Sequence, residues 1–346
     1  MSVHFGFPPS TLFMLDQAQT KPTIPTRQLA KFGISPAIYG ITLHPEFSLI
    51  ATFLYTTVVL LLNGINRRRH GKPWAINHSR WFRHAVIVHD VLLALYSAWM
   101  FFKVVRTFRN AWPKRHDAFY TVLVADLFCR GGQILPHQET IQDFVFVGWA
   151  SYMSKFYEVL DTVIILAKGR QASLLQIYHH AGVILVAWAS IRFEYPPALM
   201  LFSLNAGVHA LMDTDQKLQY TYFALVAIHV AVPRSAKAAI TSIQIVQFFI
   251  ALIVCPSYLF VYYDVPADYT RCNDYRKMGD SLDAPASRDA GLNGQSYCNT
   301  RTVSCMNKAS HTSVTWLEIL FILSLAWMFL QFFRSTYLQA GKKKAL

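Results

Sequence analysis

The chain has 346 residues, of which 53% are apolar and only 15% charged, with a formal net charge of +13. That composition leaves too little polar surface to coat a soluble globule, so a membrane protein is expected. The positive charges are spread over the loops that flank the apolar runs rather than gathered on one face, which excludes nucleic acid as a partner and favours anchoring against anionic membrane lipid.

Residues 1–46 contain six prolines and no apolar run long enough for the core of a signal peptide. They read as an irregular, uncleaved leader on the luminal side. A spanning helix needs about 20 predominantly apolar residues. Such windows run from Phe47 to Ile65, Ala85 to Val105, Ile141 to Leu166, Ala172 to Ile191, Ala238 to Tyr262 and Val314 to Phe333. A seventh, between Ala198 and Val232, is interrupted by the polar run Asp213 to Gln219. The expected fold is therefore all-α: an integral membrane bundle of about seven transmembrane helices over residues 47–333, with a polar luminal loop at 264–312 and a basic cytosolic tail at 334–346.

Arg67, Arg68, Arg69, Lys72, Arg80 and Arg83 follow the first span, and Lys168, Arg170, Arg234 and Lys237 lie in later loops on the same side, with no acidic residue among them. That side reads as cytosolic. The tail ends with Lys342, Lys343 and Lys344, and lysines three and four places from a cytosolic end resemble a dilysine retrieval signal of the endoplasmic reticulum. Cys272, Cys298 and Cys305 fall in the polar loop and Cys129 lies near the same face, where disulfides are permitted, although spacing does not give their pairing. Cys255 reads as a small buried apolar residue.

Polar residues inside spans are costly and usually face a bundle interior or a watery cavity. Four clusters stand out. In KFYEVLDT, Lys155, Glu158, Asp161 and Thr162 recur at helical steps, with Lys155 able to pair with Glu158 and Asp161. In QIYHH, Gln176 precedes His179 and His180 by three and four residues. In NAGVHALM, Asn205 and His209 are one turn apart, and in TSIQIVQF, Thr241, Gln244 and Gln247 share a face. Each alone could be an ion pair or interhelical hydrogen-bonding glue. Four such stripes in four spans argue for one shared polar cavity.

These residues resemble the elongase family of very-long-chain fatty acids. KFYEVLDT is similar to the family's KxxExxDT box, and QIYHH to the Gln form of its HxxHH box. Asn205 and His209 match the start of its NxxxHxxMYxYY box, and residues 241–248 match TxxQxxQF. HDVLLALYS at 89–97 looks like a further signature, with Asp90 where Asn is usual. One departure is large: Met212 is followed by DTDQKLQ before Tyr220 resumes the pattern. Asp213, Asp215 and Lys217 would each cost about 2.5 to 3.5 kcal/mol at a helix centre. Either the backbone bulges there or the seven residues are a gene-model error, and the error is the preferred reading.

The resemblance implies an endoplasmic reticulum membrane acyltransferase, a 3-oxoacyl-CoA synthase that condenses a long-chain acyl-CoA with malonyl-CoA in a narrow tunnel. It implies no metal and no cofactor beyond these two substrates, with other enzymes of the elongation cycle and a second copy of the chain as compatible partners. His179, His180 and His209 are assigned to acyl capture and proton transfer. Lys155, Glu158, Asp161, Thr162, Gln176, Asn205, Gln244 and Gln247 are assigned to substrate binding or orientation. The rivals are a membrane di-iron desaturase or hydroxylase, which needs more histidines than these boxes hold, a seven-span receptor or transporter, and an elongase homologue inactivated by residues 213–219.

Overall fold

The computed structural model describes residues 2–8, 22–115, 119–132, 138–214, 234–266 and 300–339. Short helices α1 (Thr26–Lys31) and α2 (Pro36–Thr42) lead into α3 (Pro45–Arg68) and α4 (Arg80–Ala111). The bundle continues through α5 (Tyr120–Arg130), α6 (Gln138–Glu158), α7 (Leu160–Ala167), α8 (Leu174–Arg192), α9 (Ala198–Thr214), α10 (Arg234–Ser257) and α11 (Ala309–Phe333). The protein is thus an all-α membrane bundle. Five of these helices, α3, α4, α8, α10 and α11, are long and apolar enough to cross a membrane. The polar-rich α6 and the 17-residue α9 do not reach that measure. Phe53, Leu61, Phe102, Ile253 and Leu320 point outward from the spanning helices, as side chains that meet lipid tails do.

Local chemistry sets the helix limits. Pro45 opens α3 with Glu46 in its first turn and Arg67 and Arg68 in its last, matching the helix dipole at both ends. Ser173 caps α8, its Oγ accepting from the Gln176 backbone N–H at 3.2 Å. The leader is more ordered than its composition suggests, because Pro25 and Pro36 stand at helix starts, where a missing N–H costs nothing. Leu29 and Tyr39 from α1 and α2 are buried against α6 and α8.

At one end of the bundle, the α3–α4 and α7–α8 connections are joined backbone to backbone. Asn66 Nδ2 donates to the carbonyls of Leu166 and Arg170, and Asn63 exchanges two hydrogen bonds with Ala172. The Trp74 N–H donates to the Ala167 carbonyl. Gly169, at φ +77°, fits because it lacks a side chain: a Cβ there would lie 2.5 Å from the Gly71 carbonyl oxygen.

The opposite end carries a cap absent from the sequence-based expectation. A three-stranded antiparallel sheet is built from β1 (Val3–Phe5), β2 (Val261–Pro266) and β3 (Thr300–Ser304), with β2 in the centre and Tyr262 opposite both His4 and Ser304. The buried Tyr263 hydroxyl donates to Asp126 at 2.9 Å. A disulfide joins Cys129 on α5 to Cys305, 176 residues later. Glu194 fastens the leader and the start of α11: it accepts from the Thr23 N–H at 2.8 Å and from Lys308 Nζ at 3.1 Å. Burial works against this carboxylate, but the bonds from Thr23 and Lys308 outweigh it and hold the group below the ordinary Glu value. Cys272, Cys298, the run Asp215 to Gln219 and the tail lysines lie outside the described residues.

Candidate active site

The Ser173 cap fixes the phase of α8, so Gln176 and His180, four residues apart, stack on one face. Gln176 Nε2 lies 3.0 Å from His180 Nε2. His180 Nδ1 is buried without a hydrogen-bond partner among the described residues. The same Gln176 nitrogen is 3.4 Å from Thr162 Oγ1, and Thr162 in turn meets the Tyr55 hydroxyl of α3 at 3.1 Å. Tyr55 also sets its ring edge-on to His180, with 6.2 Å between centroids. His179 stands beside His180, ring centroids 5.4 Å apart. Helices α3, α7 and α8 therefore supply one connected group of polar side chains.

A second group joins α6 to α9. Lys155 Nζ donates to Glu158 Oε1 at 2.8 Å and to Asn205 Oδ1 at 3.1 Å, and Ser154 Oγ donates to the same Glu158 oxygen. Lys155 and Glu158 are both buried, so this charge pair is sheltered from water. They border a small cleft that also touches Tyr96, Met100 and Phe202. Helix α6, which carries this group, packs against α8, which carries Gln176 and His180. A cavity of about 960 Å³, counting its open mouth, lies further along α6 towards the cap, between Gly148, Ile191, Leu199 and Tyr195.

Asp161 departs from the expected pairing with Lys155. It lies on α7, past the break after Glu158, and meets α4 instead, accepting from His89 Nε2 at 2.9 Å. Thr241 turns back to the Lys237 carbonyl of its own helix, while Gln244 and Gln247 are half-buried on α10, which packs against α9 and α11. His209 continues α9 one turn beyond Asn205, and its side chain lies outside the described residues. Tyr55 and His89 were not singled out from sequence. The signal for each was a polar ring within an apolar span, and the resemblance had already marked the segment that holds His89.

An apolar bundle with a buried Lys–Glu pair, amides, hydroxyls and imidazoles among its helices is a multi-pass membrane protein with polar side chains inside its spans. The sequence pattern of the GNS1/SUR4 family, ELO, matches residues 41–345, and the chain belongs to this family. Very long chain fatty acid elongase 3 of Homo sapiens is 33% identical over 109 residues, covering 32% of this chain and 38% of that protein. Long chain fatty acid elongase 2 of Caenorhabditis elegans is 33% identical over 116 residues, 34% of this chain and 40% of its own. Fatty acid elongase 2 of Trypanosoma brucei brucei is 30% identical over 126 residues, 36% of this chain and 44% of its own. The matched stretches thus span less than half of each of these three relatives.

Proposed function

We propose that the protein is a fatty acid elongase that condenses a long-chain acyl-CoA with malonyl-CoA in an endoplasmic reticulum membrane, its carboxyl terminus in the cytosol. The carrying observation is two clusters of polar side chains inside the bundle, Tyr55, Thr162, Gln176 and His180 from α3, α7 and α8, and Lys155, Glu158 and Asn205 from α6 and α9. An imidazole nitrogen attacks the acyl thioester carbon; the C–S bond breaks, and the CoA thiolate takes up a proton. Loss of carbon dioxide from malonyl-CoA leaves an enolate whose carbon attacks the acyl-imidazole, freeing the imidazole and giving a 3-ketoacyl-CoA two carbons longer. Two thioesters and one proton enter, and no further cofactor is required.

His180, held by Gln176, is assigned to proton transfer to the developing oxyanion, and His179 and His209 to acyl capture. Gln176 orients His180, and Asn205, Gln244 and Gln247 are the further amide donors. Lys155 is held by Glu158 and Asn205, so its charge polarises the interior in place of binding a CoA phosphate directly.

The deciding experiment is expression in cells that lack their own elongases, with a profile of total fatty acids and an assay of carbon dioxide release from labelled malonyl-CoA. New longer acids are expected, and His179→Ala, His180→Ala and His209→Ala should each abolish them. Full activity in any of the three removes that residue from the mechanism. Stoichiometric iron together with oxygen-dependent activity would overturn the condensing reading in favour of a di-iron enzyme.

A further inference from the structure

A separate ionisable cluster lies where α4 meets α7. His89 and Asp90 are neighbours on α4 and Asp161 lies on α7, and the three present donor atoms that all fall within 4.8 Å of one another. His89 and Asp90 are 5% and 9% exposed. His89 spends Nε2 on Asp161, but its Nδ1 and Asp90 Oδ2 are buried with no hydrogen-bond partner. Buried polar atoms are nearly always satisfied, and two carboxylates converging away from water repel unless a positive charge joins them. Lys168 acts on Asp90 only through space. Among the described residues, the cluster therefore holds two carboxylates and one imidazole, with His89 Nδ1 and Asp90 Oδ2 left without a hydrogen-bond partner.

We propose that His89, Asp90 and Asp161 form a binding site for a divalent first-row transition-metal ion. One imidazole nitrogen with two carboxylate oxygens is a donor set between those that favour zinc and those that favour manganese. Around a tetrahedral ion with bonds of about 2.0 to 2.2 Å, ligand atoms stand about 3.3 Å apart. The three side chains must close in from their present spread, and the Asp161 side chain, 37% exposed, is free enough to do so and offers the ion a route in. Three protein donors leave at least one coordination position open. This inference does not rest on the condensation reading, and binding is measured apart from activity.

The test uses the full-length protein in detergent, stripped with EDTA, desalted and titrated with zinc chloride or manganese chloride by calorimetry, with metal content read by mass spectrometry. Wild type should take up about one ion per chain. Asp90→Asn and His89→Asn, checked for folding by gel filtration and thermal unfolding, should each weaken binding by more than about tenfold, the scale seen even for outer-shell changes. His180→Gln should leave the stoichiometry unchanged. The proposal fails if wild type shows no saturable uptake, if Asp90→Asn and His89→Asn bind as tightly as wild type, or if His180→Gln abolishes the binding.

Discussion

The two ends of the bundle are closed by different chemistry. Where α3 meets α4 and α7 meets α8, closure comes from amides and carbonyls: Asn63, Asn66 and Trp74 reach across to Leu166, Ala167, Arg170 and Ala172. The cap end is closed by a sheet, a disulfide and the Glu194 tie, all drawing together segments far apart in sequence. Buried polar contacts hold the chamber between them, and these fail most steeply when one partner is removed. Covalent closure instead constrains the unfolded chain.

That contrast predicts a ranking of damage. Lys155→Met should be the most destabilising, by about 3 to 5 kcal/mol, because it leaves Glu158 charged and buried. Lys155→Met combined with Glu158→Gln should recover much of the loss in thermal unfolding. Recovery by neither more nor less than additivity would mean that the pair is not coupled. Replacing Cys129 and Cys305 together by Ser should cost about 2 to 5 kcal/mol, and reductant should lower the unfolding temperature of wild type but not of this variant. Thr162→Val, which cuts the link between Tyr55 and Gln176, should cost about 1 kcal/mol in stability while reducing product formation far more.

The smallest effect belongs to acidity at the cap. The Glu194 carboxyl titrates lower in the folded chain than in the unfolded one, so its contribution is complete above the ordinary Glu value of about 4.3 and is lost as the pH falls through the lower folded value. Acid should therefore loosen residues 22–25 first in hydrogen exchange, and Glu194→Gln should remove that pH dependence.

The contacts legible in the sequence are those set by spacing along one helix. Gln176 and His180 are four residues apart, Lys155 and Glu158 three, and both pairs meet because helical pitch brings them together. Contacts between helices were not legible. Nothing in KFYEVLDT says that Asp161 turns to His89 while Thr162 turns to Tyr55, since that depends on which neighbour lies on each side of α7. The cap was missed for a related reason. β1 and β3 are three and five residues long and gain their hydrogen bonds only from β2, more than two hundred residues from β1, so no local pattern announces them. Cys129 was placed near the polar loop, but its pairing with Cys305 needed the coordinates.

The touching glycines at Gly71 and Gly169 carry one more consequence. The Trp74–Ala167 main-chain hydrogen bond and the Gly71–Gly169 approach tie the α3–α4 and α7–α8 connections to each other on that side. A side chain at position 169 would therefore push the two connections apart, and with them the ends of α3, α4, α7 and α8.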